Sequence, residues 1–183
     1  MTLEGIAGGR GILFPHGMPA AFSIRAVRTP DDLAAVVALF EDYVASLTVD
    51  LGYQDFSGEL AGLPGKYAPP KGELLLARDA ADRPLGCVGL RPLAPDGCCE
   101  MKRLFLLPAA RGLGLGKAMA EAVIRTARDL GYDELRLDTL PSMTTAMKLY
   151  DAMGFERIGP YYAPTPDGTV FMRLKLQPKK TLD

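Results

Sequence analysis

The chain has 183 residues, 48% of them apolar, and its 21 Lys and Arg nearly balance 22 Asp and Glu for a formal net charge of -1. That profile suits one soluble domain with a substantial core, and with no basic run interleaved with aromatics it argues against a nucleic-acid binder. No apolar stretch reaches the about 18 residues a membrane helix needs. Three cysteines, two of them adjacent at Cys98 and Cys99, point away from a disulfide framework and toward a reducing, cytoplasmic setting. With a single histidine, His16, and no Cys-x-x-Cys spacing, no metal site is expected.

Residues 1–21 are rich in Gly, Pro and Ala and lack the basic start and long apolar core of a signal peptide, so they read as a flexible leader. A short edge strand over Ile12–Phe14 is the alternative, and His16 reads as solvent-facing. Phe22–Val27 reads as the first strand. Thr29-Pro30-Asp31-Asp32 opens a helix, with Thr29 as cap, Pro30 at the first helical position and two acids on the positive end. Leu33, Val36, Val37, Phe40, Val44 and Leu47 mark its core face. The Gly- and Pro-broken stretch 50–70 holds at most a short helix over 56–63. Asp50, Asp55 and Glu59 there suit an amine cation, with Tyr53 and Tyr67 packing beside it; acids solvated on a loop are the plainer reading.

Glu73–Arg78 and Leu85–Leu90 read as a hairpin, and a turn over Pro92–Gly97 leads into a strand over Cys99–Leu107. In it Met101, Arg103, Phe105 and Leu107 alternate with Glu100, Lys102, Leu104 and Leu106, and Pro108 ends the ladder. Apolar residues from Leu115 through Ala118, Met119, Ala122, Val123 and Ala127 to Leu130 then recur at helical spacing, and Gly131 stops the helix. A strand over Glu134–Thr139, a helix over Ser142–Met153 stopped by Gly154, a strand over Phe155–Ile158 and a last strand over Thr169–Leu176 complete one mixed α/β domain, residues 22–178.

Between the central strand and its helix lies Arg111-Gly112-Leu113-Gly114-Leu115-Gly116-Lys117. Glycines at alternate positions open backbone conformations closed to other residues and bare the amides. The helix start adds its dipole, and Arg111 and Lys117 add charge, which makes an anion site suited to phosphates. A P-loop would need a glycine where Arg111 stands and a hydroxyl where Ala118 stands. A dinucleotide fingerprint counted from Gly112 would need glycine at Lys117, although Asp138 mimics its ribose-binding acid.

Arg111, Gly114 and Gly116, following a Leu-x-Leu-x-Pro strand, together with Leu149-Tyr150-Asp151-Ala152-Met153-Gly154-Phe155, resemble the two landmarks of the GNAT superfamily of acetyl-coenzyme A dependent N-acetyltransferases. The resemblance covers 22–176 and is strongest over 100–155. It implies a mixed, mostly antiparallel sheet of about six or seven strands flanked by about four helices, an α+β arrangement. It also implies acetyl-coenzyme A as cosubstrate, with the pyrophosphate on Arg111 through Lys117. The pantetheine and thioester carbonyl would lie along the backbones of Leu104, Leu106 and Phe105, where the strand diverges from its neighbour at a bulge.

Acetylating an amine requires the free base, which an alkylamine with a pKa near about 10.4 supplies at neutral pH in under about one part in a thousand. Glu100, eleven residues before Arg111, matches a glutamate that serves some members as base, against a plain ion pair with Lys102 or Arg103. Tyr150 matches the tyrosine that faces the coenzyme sulfur and protonates it on departure, against plain core packing. Many members carry Asn where Met143 stands, and Ser142 or Thr139 is its substitute. An acyl-cysteine route on Cys98 or Cys99 lacks a histidine to activate the thiol, so direct transfer in a ternary complex is expected. The acceptor is expected to be a small-molecule amine, with no nucleic-acid or membrane partner. A non-catalytic acyl-coenzyme A sensor and an NAD(P)-dependent oxidoreductase are the rivals. Tyr161 and Tyr162, beside an exposed edge at 169–176, suit either a homodimer contact or a cap on the acceptor pocket.

Overall fold

Seven strands form a single sheet in the order β1-β2-β3-β4-β5-β7-β6. In the computed structural model, which describes residues 22–47, 52 and 55–176, these are β1 (Phe22–Ala26), β2 (Glu73–Asp79), β3 (Pro84–Leu93), β4 (Cys98–Leu106), β5 (Glu134–Thr139), β6 (Glu156–Ile158) and β7 (Val170–Lys175). Four helices flank them: α1 (Pro30–Ala45), α2 (Phe56–Ala61), α3 (Leu115–Asp129) and α4 (Thr144–Ala152). All neighbouring strands run antiparallel except β4 and β5, which are joined through α3. The 1–21 leader with His16 and the Ile12–Phe14 strand, and also Asp50 and Tyr53, lie outside the described residues, as does everything beyond Leu176.

Local chemistry sets the helix ends. Thr29 Oγ1 accepts from the Asp32 N–H at 3.1 Å, and Pro30 opens α1. The buried stripe of α1 is Val36, Leu39 and Phe40, while Leu47 falls beyond the helix, so the core face is rotated from the expected one. The stripe of α3 is buried from Leu115 to Ala127, as its spacing requires.

The sheet separates two apolar clusters. One packs α3 and α4 against residues such as Val88, Met101, Leu135 and Met172. The other packs α1 and α2 against Leu74, Leu76, Cys87 and Phe105. Burying each of these side chains contributes roughly 1.5–3 kcal/mol.

β4 departs from simple alternation. Cys87 opposes Phe105 and Gly89 opposes Lys102, so Arg103 and Leu104 face the single Val88 in a β-bulge. Arg103 takes φ 58°, the left-handed region, without being glycine. The extra residue reverses the parity of the strand. Phe105 therefore joins the α1 cluster, on the face of Glu100 and Lys102, and Leu104 and Leu106 turn to the α3 side. The expected set Met101, Arg103, Phe105, Leu107 is not one face.

β4 pairs with β5 only from Cys98 to Glu100, opposite Glu134 to Arg136, and beyond that point the two strands separate. β7 lies between β5 and β6, so the expected edge at 169–176 is interior; β1 and β6 hold the two edges.

Candidate active site

The cleft opened by this separation is lined by Lys102, Arg103 and Leu104 from β4, Leu137, Asp138 and Thr139 from β5, Tyr43 from α1 and Tyr150 from α4. One wall is backbone. Leu107 N–H bonds the Leu85 carbonyl of β3 at 2.9 Å. By strand alternation the amides and carbonyls of Leu106 and Leu104 then turn the other way, toward the space β5 has left. Phe105, opposite Cys87, turns its backbone to β3, so of the three strand positions expected to hold a cosubstrate it is the one not offered to the cleft.

The glycine loop leads from this wall into α3. Gly112 (φ 78°) and Gly114 (φ 75°) are left-handed, which favours glycine. Gly116 is not left-handed, and a Cβ there would meet only Leu106 Cδ1 at 3.5 Å. Nothing among the described residues demands glycine at that position. Gly114 caps α3, and the first amide of that end to find an acceptor is Ala118, on the Gly114 carbonyl at 3.1 Å. The preceding amides of the turn are therefore free to bind an anion. Arg111 and Leu113 are exposed beside them, and Lys117 is loosely paired with Glu121 at 3.8 Å.

Tyr150 is 6% exposed and stacks on Phe155 at 5.6 Å between ring centroids. Burial, then the nearby Tyr43 and Asp138, push its phenol well above the ordinary value, so it stays protonated. Its hydroxyl has no hydrogen-bond partner among the described residues although it lines the cleft. Thr139 Oγ1 donates to Met143 Sδ at 3.6 Å, tying up the hydroxyl that was to substitute for the absent asparagine, whereas Ser142 is exposed.

Glu100 is 1% exposed and heavily engaged. Arg91 donates to its Oε2 at 2.8 Å from both Nε and Nη2, Tyr161 donates to Oε1 at 2.8 Å, and Lys102 Nζ stands 3.9 Å from Oε1. A proton acceptor needs an oxygen the acceptor amine can reach, and here both oxygens already accept from donors in a side chain that is almost fully buried. Asp138 differs. Its Oδ1 accepts from Lys102 at 2.6 Å, and its other oxygen has no partner among the described residues. Its pairing with Lys102 inside the cleft also removes it as a free ribose ligand.

Glu59 of α2 reaches Arg103 with both oxygens, at 3.1 and 2.8 Å, and accepts from Tyr67 at 2.8 Å. Burial raises the Glu59 carboxyl, but Arg103 and Tyr67 outweigh it and hold it below the usual range. Its charge is thus committed to the bulge residue, and Tyr67 is core at 2% exposure. Arg103 also stacks over Tyr43 and Phe56, at 5.9 and 5.3 Å. Sequence reasoning missed this clamp because its two ends are 44 residues apart. Tyr161 and Tyr162 pack on Phe171 within the chain, at 5.0 and 5.3 Å. The Cys99 thiol donates to the Glu134 carbonyl at 3.5 Å, and burial pushes it far above the ordinary value, against a nucleophilic role. Among the described residues no cluster of three or more metal-ligating side chains occurs, and no helix is long and apolar enough to cross a membrane.

Comparison with known proteins agrees with this geometry. The model of the acetyltransferase (GNAT) family matches residues 33–155. An "uncharacterized N-acetyltransferase" of Schizosaccharomyces pombe is 40% identical over 158 residues, 86% of this chain and 97% of that one. A Klebsiella pneumoniae structure assigned provisionally as an acyl-CoA N-acyltransferase superposes with a TM-score of 0.67 at 27% identity, covering 87% of this chain and all of that one. A Salmonella typhimurium structure, provisionally an acetyltransferase and solved with acetyl-CoA, shares the fold at a TM-score of 0.62 and 20% identity, over 89% of this chain and 98% of that one. The chain belongs to the GNAT family and is an acyltransferase of the N-acetyltransferase type.

Proposed function

We propose that the chain transfers an acetyl group from acetyl-coenzyme A to the primary amine of a small molecule, directly, in a ternary complex. The observation that carries this reading is the parting of β4 and β5 after Glu100, which opens a cleft lined by Leu104, Asp138 and Tyr150 on the strand that runs on into the glycine loop. Acetyl-coenzyme A fits that shape: Gly116 is a glycine no internal contact requires, and the free amides at the α3 start suit a pyrophosphate. Bound there, it supplies an activated acetyl thioester.

The chain's own residues divide the remaining work. Arg111, the amides of Gly112 through Gly116 and Lys117 hold the phosphates. The backbone of Leu104 and Leu106 orients the thioester, and an N–H aimed at its carbonyl stabilises the charge that develops there. Tyr150 donates a hydrogen bond to the departing sulfur. A thiol's ordinary pKa is about 8.5 and a phenol's about 10, and burial raises Tyr150 further, so the hydroxyl stabilises the thiolate without surrendering its proton outright. Arg91 and Tyr161 hold Glu100, and Glu59 holds Arg103, which fixes the acceptor side of the sheet. Support for a small acceptor is that, among the described residues, these buried charges pair with one another. Support for direct transfer is the burial and raised thiol pKa of Cys87, Cys98 and Cys99.

The test is a thiol-release assay over a panel of small amines and a lysine-bearing peptide, followed by initial rates against both substrates. Intersecting reciprocal plots and no acetyl adduct on the intact protein mass are expected. Parallel plots with a mass gain of one acetyl group would refute direct transfer, and a preference for the peptide would refute the small-molecule acceptor.

A further inference from the structure

We infer that Asp138 on β5, rather than Glu100 on β4, takes the proton from the acceptor amine. The inference rests on the transfer reading above and assigns a catalytic group within it. Both acids lie on the acceptor face of the sheet, Glu100 opposite Arg136 and Asp138 two residues farther along β5, past the last β4–β5 pair. That step carries Asp138 into the cleft where the two strands part, which Tyr150 and Leu104 also line. Glu100 stays behind in the paired region, with Oε2 held twice by Arg91 and Oε1 held by Tyr161.

Asp138 is held from one side only. Lys102, 5% exposed, donates to Oδ1 at 2.6 Å and is itself braced by Glu100 at 3.9 Å and by the Tyr162 ring at 5.5 Å. Lys102 is thus a positioning residue: it fixes the rotation of the carboxylate, whose second oxygen has no hydrogen-bond partner among the described residues. Among the described residues Tyr43 on α1, Tyr150 on α4 and Tyr161 from the loop before β7 also feel the Asp138 charge. All three are phenols kept protonated by burial, so none competes for the proton.

The reaction balances with these parts. The amine nitrogen forms a bond to the acetyl carbon, the carbon–sulfur bond breaks, and the electron pair leaves on sulfur under the Tyr150 hydroxyl. As the new bond forms the nitrogen becomes acidic, and its proton passes to Asp138. That proton returns through solvent and the thiolate is neutralised, so the products are an N-acetyl amine and free coenzyme A thiol. An ammonium substrate is also drawn to the carboxylate; it gives up one proton to solvent before attack and its second to Asp138 as the bond forms, so that form of the substrate releases one proton overall.

The test compares wild type with Asp138→Asn, isosteric but unable to accept a proton, and with the double variant Lys102→Gln/Asp138→Asn, which removes both charges so that no buried cation is orphaned. Thiol release from acetyl-coenzyme A is followed with water alone and with n-butylamine, ethanolamine and spermidine, alongside calorimetric titration with acetyl-coenzyme A. The expected result is a loss of about a hundredfold in turnover in both variants, the scale of a general base, with acetyl-coenzyme A affinity within twofold of wild type. The rate in Asp138→Asn should also keep rising with pH where wild type has levelled off, which a merely structural role would not produce. Retention of turnover within threefold in either variant overturns the assignment, as does a wild type that binds acetyl-coenzyme A yet releases thiol above the buffer rate with none of these acceptors. Failure of wild type to bind acetyl-coenzyme A overturns instead the transfer reading beneath it.

Discussion

Gly114→Glu separates the phosphate site from mere loop conformation when it is compared with Gly114→Ala. Gly114 sits at φ 75° with nothing within 4 Å of the position a Cβ would take. Either side chain fits the space, and each costs roughly 1–2 kcal/mol for placing an L-residue in the left-handed region. For a domain of this size that lowers the melting temperature by about 2–8 °C, equally in both variants. The binding effects diverge. A glutamate at the α3 cap sets a negative charge among amides meant for phosphate; at about 6 Å and an effective dielectric of about 20, each unit of phosphate charge is opposed by about 3 kcal/mol. Acetyl-coenzyme A should therefore bind at least about a hundredfold more weakly to Gly114→Glu and less than about tenfold more weakly to Gly114→Ala. Calorimetric titration measures both, and the gap between them should narrow as salt is raised. Binding to Gly114→Glu within threefold of wild type would refute the phosphate assignment. Equal loss in the two variants would mean that conformation, not charge, is what the loop contributes.

Tyr150→Phe should lower kcat by about 10²–10³ while leaving acetyl-coenzyme A affinity within twofold, since only the hydroxyl toward the sulfur is lost; a parallel loss of affinity in calorimetry would return Tyr150 to a packing role. Glu59→Gln removes the carboxylate that pairs with Arg103, 2% exposed at its side chain, and urea unfolding should show a lower midpoint than wild type, partly recovered in Glu59→Gln/Arg103→Met. Because the Glu59 carboxyl is held below its unfolded value near about 4.3, its contribution to stability is complete above that pH and disappears as pH falls through the lower folded value. The urea midpoint of wild type should accordingly drop more steeply between about pH 5 and pH 2 than that of Glu59→Gln. Iodoacetamide on the native protein should leave activity unchanged and modify Cys87, Cys98 and Cys99 only after unfolding, all three thiols being buried with raised pKa values; mass spectrometry with and without urea reads this directly.

Why the elements could be read from the chain, and the site only in part, follows from the range over which each signal acts. Thr29 and Pro30 act within a few residues to start α1, and Gly131 and Gly154 follow the ends of α3 and α4, as expected. The glycine loop is similarly local, and its left-handed glycines stand where their spacing put them. The bulge has no such marker. Arg103 adopts φ 58° with neither glycine nor asparagine to announce it, and the strand's alternation reads straight through it. Glu59, which pairs with Arg103 there, stands 44 residues earlier on a helix with no buried residue of its own. This one unannounced residue decides the rest of the site, because it reverses which side chains of β4 share a face and releases the backbone of Leu104 and Leu106. The choice between the two acids is of the same kind. Residue type and strand parity place Glu100 and Asp138 alike on the acceptor face, and nothing local distinguishes them. The difference lies in their neighbours: Arg91 and Tyr161 come from β3 and from the loop before β7 to cover both oxygens of Glu100, while among the described residues Asp138 accepts from Lys102 alone. A carboxylate can take a proton from a ligand only through an oxygen the fold has left uncovered, so the base of such an enzyme is specified by what surrounds the acid more than by the acid itself.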